Sequence, residues 1–197
     1  MDQIVFQTAL GYVGIALRGP TLLALVFGHS TERSAHRALA ERVSDLPASL
    51  DAWTESSRAA DDLIDRLREF ALGEPIDFSD VLVNTKGATT FQRRVIDACR
   101  AIPWGETRSY GQLAASVGRP GAARAVGAVM AANRVPLVVP CHRVVAASGG
   151  LGGFSAPQGL AMKRRLLAAE QLFDSRAALA ATRNSSIAAT RRVAGRP

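Results

Sequence analysis

Ser109-Tyr110-Gly111-Gln112-Leu113-Ala114-Ala115-Ser116-Val117-Gly118-Arg119-Pro120-Gly121-Ala122-Ala123-Arg124-Ala125-Val126-Gly127-Ala128-Val129-Met130-Ala131-Ala132 is the run from which the architecture is read. Ser109 and Gln112 have the spacing of a capping box, which satisfies the first amides of a helix from both sides. That short helix is expected to end at Gly118, and Arg119-Pro120-Gly121 makes a tight turn into a second helix. Two short helices across a Gly/Pro turn have the outline of a helix-turn-helix. The second is built almost wholly of small residues with one cation, Arg124, near its start. Small side chains let a backbone approach another surface closely. The residues alone leave open whether that surface is the protein's own core or an outside partner.

Outward from this run, the next informative stretch is Val138-Val139-Pro140-Cys141-His142-Arg143-Val144-Val145. Proline fixes its own φ and pushes Val139 towards extended backbone, so Cys141 is expected at a rigid position. A thiol attacks only as thiolate, and a neighbouring imidazole or cation favours that form. A buried cysteine closing a core strand is the bland alternative. Polar His142 and Arg143 wedged between valine pairs would need partners if buried.

Before this region, Thr90 is expected to cap a helix with Phe91, Val95, Cys99 and Ile102 on one stripe, which makes Cys99 an inert core thiol. Pro103 ends it. The N-terminal part reads as a small α/β unit. Runs at Ile4–Thr8, Tyr12–Leu17 and Leu22–Phe27, turned by Gly11 and Gly19-Pro20, predict an antiparallel meander. Ser30-Thr31 is expected to cap a helix to about Arg42. Ser56-Ser57 is expected to cap another, with Ala60, Leu63, Ile64, Leu67 and Ala71 on one face. No catalytic grouping stands out here, and His29 and His36 lie apart from other ligand types. Gly73 to Ala88 reads as a linker. The expected organisation is a scaffold at residues 1–85, a helical functional part at 86–173, and a basic tail at 174–197 of low complexity, expected to be disordered.

Composition sets the bounds. The 197 residues suffice for a real core, and 48% apolar with 21% charged residues is ordinary for a globular chain. No apolar run approaches the length of a membrane span and no leader is evident, so a cytoplasmic protein is expected. Two cysteines make neither a disulfide framework nor, alone, a zinc site. The net charge of +7 is unevenly spread. Residues 1–85 hold 13 acidic against 7 basic side chains, a net of −6, whereas 86–173 hold 12 basic against 3 acidic, a net of +9. The tail carries 5 arginines and 1 aspartate. A basic half of this kind points to a polyanion, most simply nucleic acid.

Together these residues carry a resemblance. Ser109-Tyr110, Ala123-Arg124-Ala125-Val126-Gly127, Asn133 with Val135-Pro136, Pro140-Cys141-His142-Arg143-Val144-Val145 and the Leu166-Leu167 to Glu170 ending resemble the O6-alkylguanine-DNA alkyltransferases, densely from about Phe91 to Glu170. The resemblance implies an α+β protein: a small ribonuclease H-like antiparallel-sheet domain and a mainly helical domain with a helix-turn-helix. It implies direct repair of duplex DNA bound as a monomer through the minor groove, with Ala123, Gly127 and Arg143 at the DNA. Arg124 would fill the base stack while Tyr110 helps rotate out an O6-alkylguanine or an O4-alkylthymine. Cys141 would take the alkyl group once and irreversibly, without metal or cofactor. His142, through a water, would take the thiol proton and Glu170 would orient it; Tyr110 would assist the leaving guanine. Val144, Phe154 and Ser155 would line the pocket, and Asn133 would brace the turn. At helical spacing Lys163, Leu166, Leu167 and Glu170 share a face, which independently supports an inward carboxylate.

Family members often carry a hydroxylated aromatic, a small residue and two glycines before the last helix. Here the chain reads Gly153-Phe154-Ser155-Ala156-Pro157-Gln158-Gly159, with one extra residue. Two rival classes are less well matched. Non-catalytic alkyltransferase-like damage binders lack the nucleophile that Cys141 supplies. A cysteine hydrolase would need direct Cys–His contact, which adjacent residues make poorly, and would leave the basic helix pair unexplained.

Overall fold

The computed structural model describes residues 1–46 and 56–171, with side chains of the second helix described from residue 58; the basic tail and the Ser56-Ser57 cap lie outside. Strands β1 (Asp2–Thr8), β2 (Gly11–Arg18) and β3 (Thr21–His29) form the expected antiparallel meander, with Ile4 opposite Ile15 and Ile15 opposite Leu25. A short β4 (Leu82–Val83) joins the far edge parallel to β3. Both faces of this sheet are covered, so β2 and β3 read as continuous apolar runs rather than alternating ones. Helix α1 (Glu32–Val43) packs Leu39 and Val43 on Ala16, Ala24 and Val26. The opposite face, through Ile15, Leu17, Leu22, Leu25 and Phe27, joins a larger core with Ala60, Leu63, Ile64, Leu67 and Phe70 of α2 (Ser56–Ala71). That same cluster runs on through Val95, Cys99, Leu113, Val126, Cys141 and Leu166, so one core spans both halves of the chain.

Thr31 caps α1 as expected, and Ser34 returns the bond to complete a box. The cap of α3 (Thr90–Arg100) falls one residue earlier than expected: Thr89 accepts from Gln92 N while the Gln92 side chain accepts from Thr89 N. Two other expectations are corrected. The stretch 73–88 is strapped to the body, with Phe78 and Val81 buried and Arg100 donating to the carbonyls of Phe78, Ser79 and Val81. Nor does the chain stay helical after Thr90. Between α5 and the last helix it forms a 3-10 turn, Cys141–Arg143, and strand β6 (Val144–Val145).

That second strand fixes the site. β5 (Arg108–Ser109) pairs parallel with β6, Arg108 opposite Val144 and Ser109 opposite Val145. Because Tyr110 opens α4 (Tyr110–Ser116) directly after β5, and Cys141–Arg143 lead directly into β6, this two-rung ladder sets the tyrosine beside the thiol. Ser109 caps α4 through the predicted box with Gln112. Helix α5 (Ala123–Ala131) buries Val126 and Met130 and exposes Arg124, Ala125 and Ala128. Residues 159–171 form the last described helix, α6, which turns Met162, Lys163, Leu166 and Glu170 inward.

Candidate active site

Cys141 is 7% exposed and lies where two cavities meet. The larger, about 620 Å³, is lined by Tyr110, Ala123, Arg124, Gly127, Cys141, Phe154 and Ser155 together with Met130, Ala131 and Gly153. Residues far apart in sequence thus enclose one space, with the small-residue face of α5 as its outer wall. The other, about 350 Å³, opens beside the N-terminal unit between β3, α1 and the Phe154–Pro157 segment. Phe154 stands between the two and packs edge-on against Phe27, ring centres 6.2 Å apart.

Behind the thiol is a buried charge network. His142 is fully buried, and its Nε2 lies 2.8 Å from Glu170 Oε1. Glu170 also accepts from Arg143 Nε and Nη2 at 3.1 Å and from the Gly105 amide at 3.1 Å. Burial alone would raise the Glu170 pKa, but His142 and Arg143 outweigh it and hold the carboxyl below its ordinary value. An ionised carboxylate only accepts, so Nε2 carries the proton in this contact and Nδ1 carries the lone pair. That Nδ1 is buried with no hydrogen-bond partner in the protein. Burial drives the His142 pKa down despite Glu170, which leaves a neutral imidazole with a free basic nitrogen.

The thiol itself needs such a base. Burial pushes the Cys141 pKa up, against downward pulls from Asn133, Lys163 and Arg42. Lys163 is fully buried, its Nζ donating to the Val144 carbonyl at 2.6 Å and lying 5.9 Å from the Phe154 ring centre. It fixes the backbone just after the thiol and keeps a cation nearby. Asn133 donates from Nδ2 to Val139 O at 2.9 Å and accepts from Val135 N at 3.0 Å, cross-bracing the segment that delivers Cys141. Tyr110 reaches so close to Gly152 that an added Cβ would lie 2.7 Å from its hydroxyl, and Gly152 has φ +71°. The tyrosine therefore depends on glycine there.

Among the expected site residues, Arg143 is displaced from its assigned role at the DNA. Its guanidinium points inward, held by Glu170 and the Ile102 carbonyl (2.8 Å) and lying over Trp104. The cation neutralises the buried carboxylate instead. Val144 is fully buried; its amide donates to Cys141 O, and its carbonyl, already taken by Lys163, keeps a second lone pair. The sequence places Lys163 on the inward face but gives it no role, and it singles out neither Trp104 nor Phe70, whose ring stands edge-on to both His142 and Trp104. Lys163 had a signal, its place on the inward face of α6. The aromatic pair had none, because α2 and residue 104 meet only in three dimensions. Among the described residues no cluster of His, Cys, Asp or Glu forms a metal site.

The site is thus built around a single thiol, beside a buried histidine hydrogen-bonded to a carboxylate, below a helix of small residues. A profile described as "6-O-methylguanine DNA methyltransferase, DNA binding domain" matches residues 90–172. The methylated-DNA–protein-cysteine methyltransferase of Mycobacterium tuberculosis is 41% identical over 153 residues, 78% of this chain and 87% of its own. That of Mycolicibacterium paratuberculosis is 47% identical over 119 residues, 60% of this chain and 70% of its own. A crystal structure of M. tuberculosis OGT in complex with DNA superposes with a TM-score of 0.64 at 35% identity, covering 85% of this chain and 91% of that one. The O6-methylguanine-DNA methyltransferase of Pyrococcus kodakaraensis gives a TM-score of 0.62 at 26% identity, over 85% and 97%. The chain belongs to the methylated-DNA–protein-cysteine methyltransferase family.

Proposed function

We propose that this protein repairs DNA by moving the alkyl group of O6-alkylguanine onto Cys141, once per molecule. The observation that carries this reading is the cavity that joins Arg124 and the small face of α5 to a thiol backed by His142 and Glu170. In this reading α4 and α5 act as a helix-turn-helix in the minor groove, where Ala123 and Gly127 let the backbone come close. Exposed Arg124 fills the gap left by the extruded nucleotide. Extrusion costs a few kcal/mol, least for a poorly paired base, so selection begins before chemistry. Residues 1–85 serve as a ribonuclease H-like unit that supports the reactive half, 86–173, and one monomer acts per lesion.

His142 Nδ1, relayed by a water, takes the thiol proton, and Glu170 stabilises the imidazolium that forms. The thiolate attacks the alkyl carbon in line; the S–C bond forms as the C–O6 bond breaks. Guanine leaves with its electron pair, and the Tyr110 hydroxyl donates to the ring to relieve the charge. Burial raises the Tyr110 pKa, so this hydroxyl keeps its proton at neutral pH. A thioether has no ready route back to a thiol, which makes the protein self-inactivating. The reaction consumes a free thiol, and both Cys99 and Cys141 are unpaired, which suits a reducing cytoplasm.

Incubation with duplex DNA carrying O6-methylguanine, followed by intact-mass measurement and peptide mapping, tests this. One added CH₂ on Cys141, saturating at one equivalent and absent in Cys141→Ser, is expected. Binding of the damaged duplex with no mass gain would overturn the transfer reading.

A further inference from the structure

The segment from Asn133 to Pro140 delivers Cys141, and its fixation reaches across the molecule to α1. Arg42 Nη1 donates to the Asn133 carbonyl at 2.6 Å. In return Arg134 Nη1 donates to the Arg42 carbonyl at 2.7 Å, and its guanidinium grips the Asp45 carboxylate at 2.9 and 2.5 Å. Leu25 N adds a backbone bond to Arg134 O at 2.8 Å. Asn133 is the residue whose side chain braces Val135 and Val139 on the way to the thiol. Arg42 is also a wall of the smaller cavity that ends on Cys141. None of these contacts belongs to the proton relay through His142 and Glu170, and the N-terminal half read as passive from its sequence.

We propose that Arg42 is a positioning residue for alkyl transfer: by holding the Asn133 carbonyl it sets where the Asn133–Pro140 segment presents the Cys141 thiol, so that the N-terminal unit takes part in the reaction. The inference rests on the alkyl-transfer reading above. A guanidinium suits the task because its planar fork is rigid and stays charged when half buried. The small offset that its loss permits is costly, since in-line attack depends on angstrom-scale alignment. Its charge adds a smaller effect. The groups facing the thiol are His142 in the same turn, Lys163 from α6, Tyr110 from α4, Cys99 from α3 and Arg42 from α1, with Lys163 the stronger cation.

The test compares Arg42→Ala and Arg42→Lys with the wild type in three readouts. These are the single-turnover rate at saturating O6-methylguanine duplex, affinity for the same duplex in a Cys141→Ser background, and the pH–rate profile of Cys141 with iodoacetamide in the absence of DNA. Arg42→Ala is expected to slow transfer about tenfold, leave duplex affinity within about twofold and move the iodoacetamide profile to higher pH. Arg42→Lys, which keeps a cation and a donor, should recover most of both rates. If Arg42→Ala does not fold, partial loss in Arg42→Lys at an unchanged urea midpoint carries the same meaning. A wild-type rate and profile in Arg42→Ala would overturn the proposal; so would losses that track the urea midpoint and are not recovered by lysine. If the wild type transfers nothing from DNA while the iodoacetamide profile still responds to Arg42, the alkyl-transfer reading fails and the positioning of the thiol stands.

Discussion

Replacing Glu170 by Gln keeps the shape of the side chain and removes its charge. The carboxylate receives His142 Nε2 at 2.8 Å, Arg143 at 3.1 Å on both oxygens and the Gly105 amide at 3.1 Å, all within a nearly sealed environment. A carboxamide offers one acceptor oxygen and turns an NH₂ towards donors that it cannot serve. Two losses follow. Arg143 becomes a buried cation without its counter-charge, which costs about 3–5 kcal/mol of stability. His142 loses both the fixed tautomer that leaves Nδ1 basic and the charge that stabilises its protonated form. General-base help is worth roughly 10²–10⁴ in rate, so transfer should slow by at least about a hundredfold, equivalent to about 2.7 kcal/mol of barrier. Quenched time courses with O6-methylguanine duplex, read by intact mass, measure the rate; urea titration measures the stability. Affinity for the duplex should hold, since Glu170 is buried and does not line the cavity beneath α5. A folded Glu170→Gln protein that transfers within about threefold of the wild-type rate would refute the assignment of Nδ1 as the base.

Other expectations follow from the same geometry. Arg124→Ala should slow transfer from duplex DNA by roughly tenfold or more, the cost of extrusion without a stand-in for the base, yet leave the DNA-independent iodoacetamide reaction of Cys141 unchanged. Gly152→Ala places a methyl 2.7 Å from the Tyr110 hydroxyl at a φ of +71°; about 1–2 kcal/mol of backbone strain and a displaced tyrosine should lower both the urea midpoint and the transfer rate. The fold should weaken in acid. His142 lies below its ordinary 6.5 because of burial, so below that pH the unfolded chain takes up a proton that the native site refuses, and stability falls as pH drops. Glu170, held below 4.5 against burial by His142 and Arg143, contributes stability that is present above that value and lost as pH falls through its folded pKa. A urea midpoint that stays flat from pH 8 to 7 and declines below 6.5 is expected, and one that rises towards pH 5.5 would contradict the neutral, buried imidazole.

What the sequence determined by itself is whatever short-range chemistry dictates. The capping boxes at Thr31 and Ser109, the meander, the helical stripe with Cys99 at its centre and the turn between α4 and α5 follow from residue types a few positions apart. Pro140-Cys141-His142-Arg143 singles out the thiol on which the two cavities meet, and the spacing of α6 turns Glu170 inward. The tertiary structure alone decided the partners. The family resemblance sets Arg143 at the DNA, and the residues alone say only that it needs partners if buried; it is buried because Glu170, 27 positions away, and the Ile102 carbonyl lie within its reach. The stretch 73–88 looked like a linker because its periodicity is weak, yet Arg66 and Arg100 bind it through contacts 11 to 22 positions apart. Arg42 lies 91 positions from Asn133 and carries no local signature at all. Caps and periodicity are properties of neighbouring residues, whereas charge pairing and desolvation depend on which distant groups the fold brings within about 3 Å, and a linear pattern does not encode that.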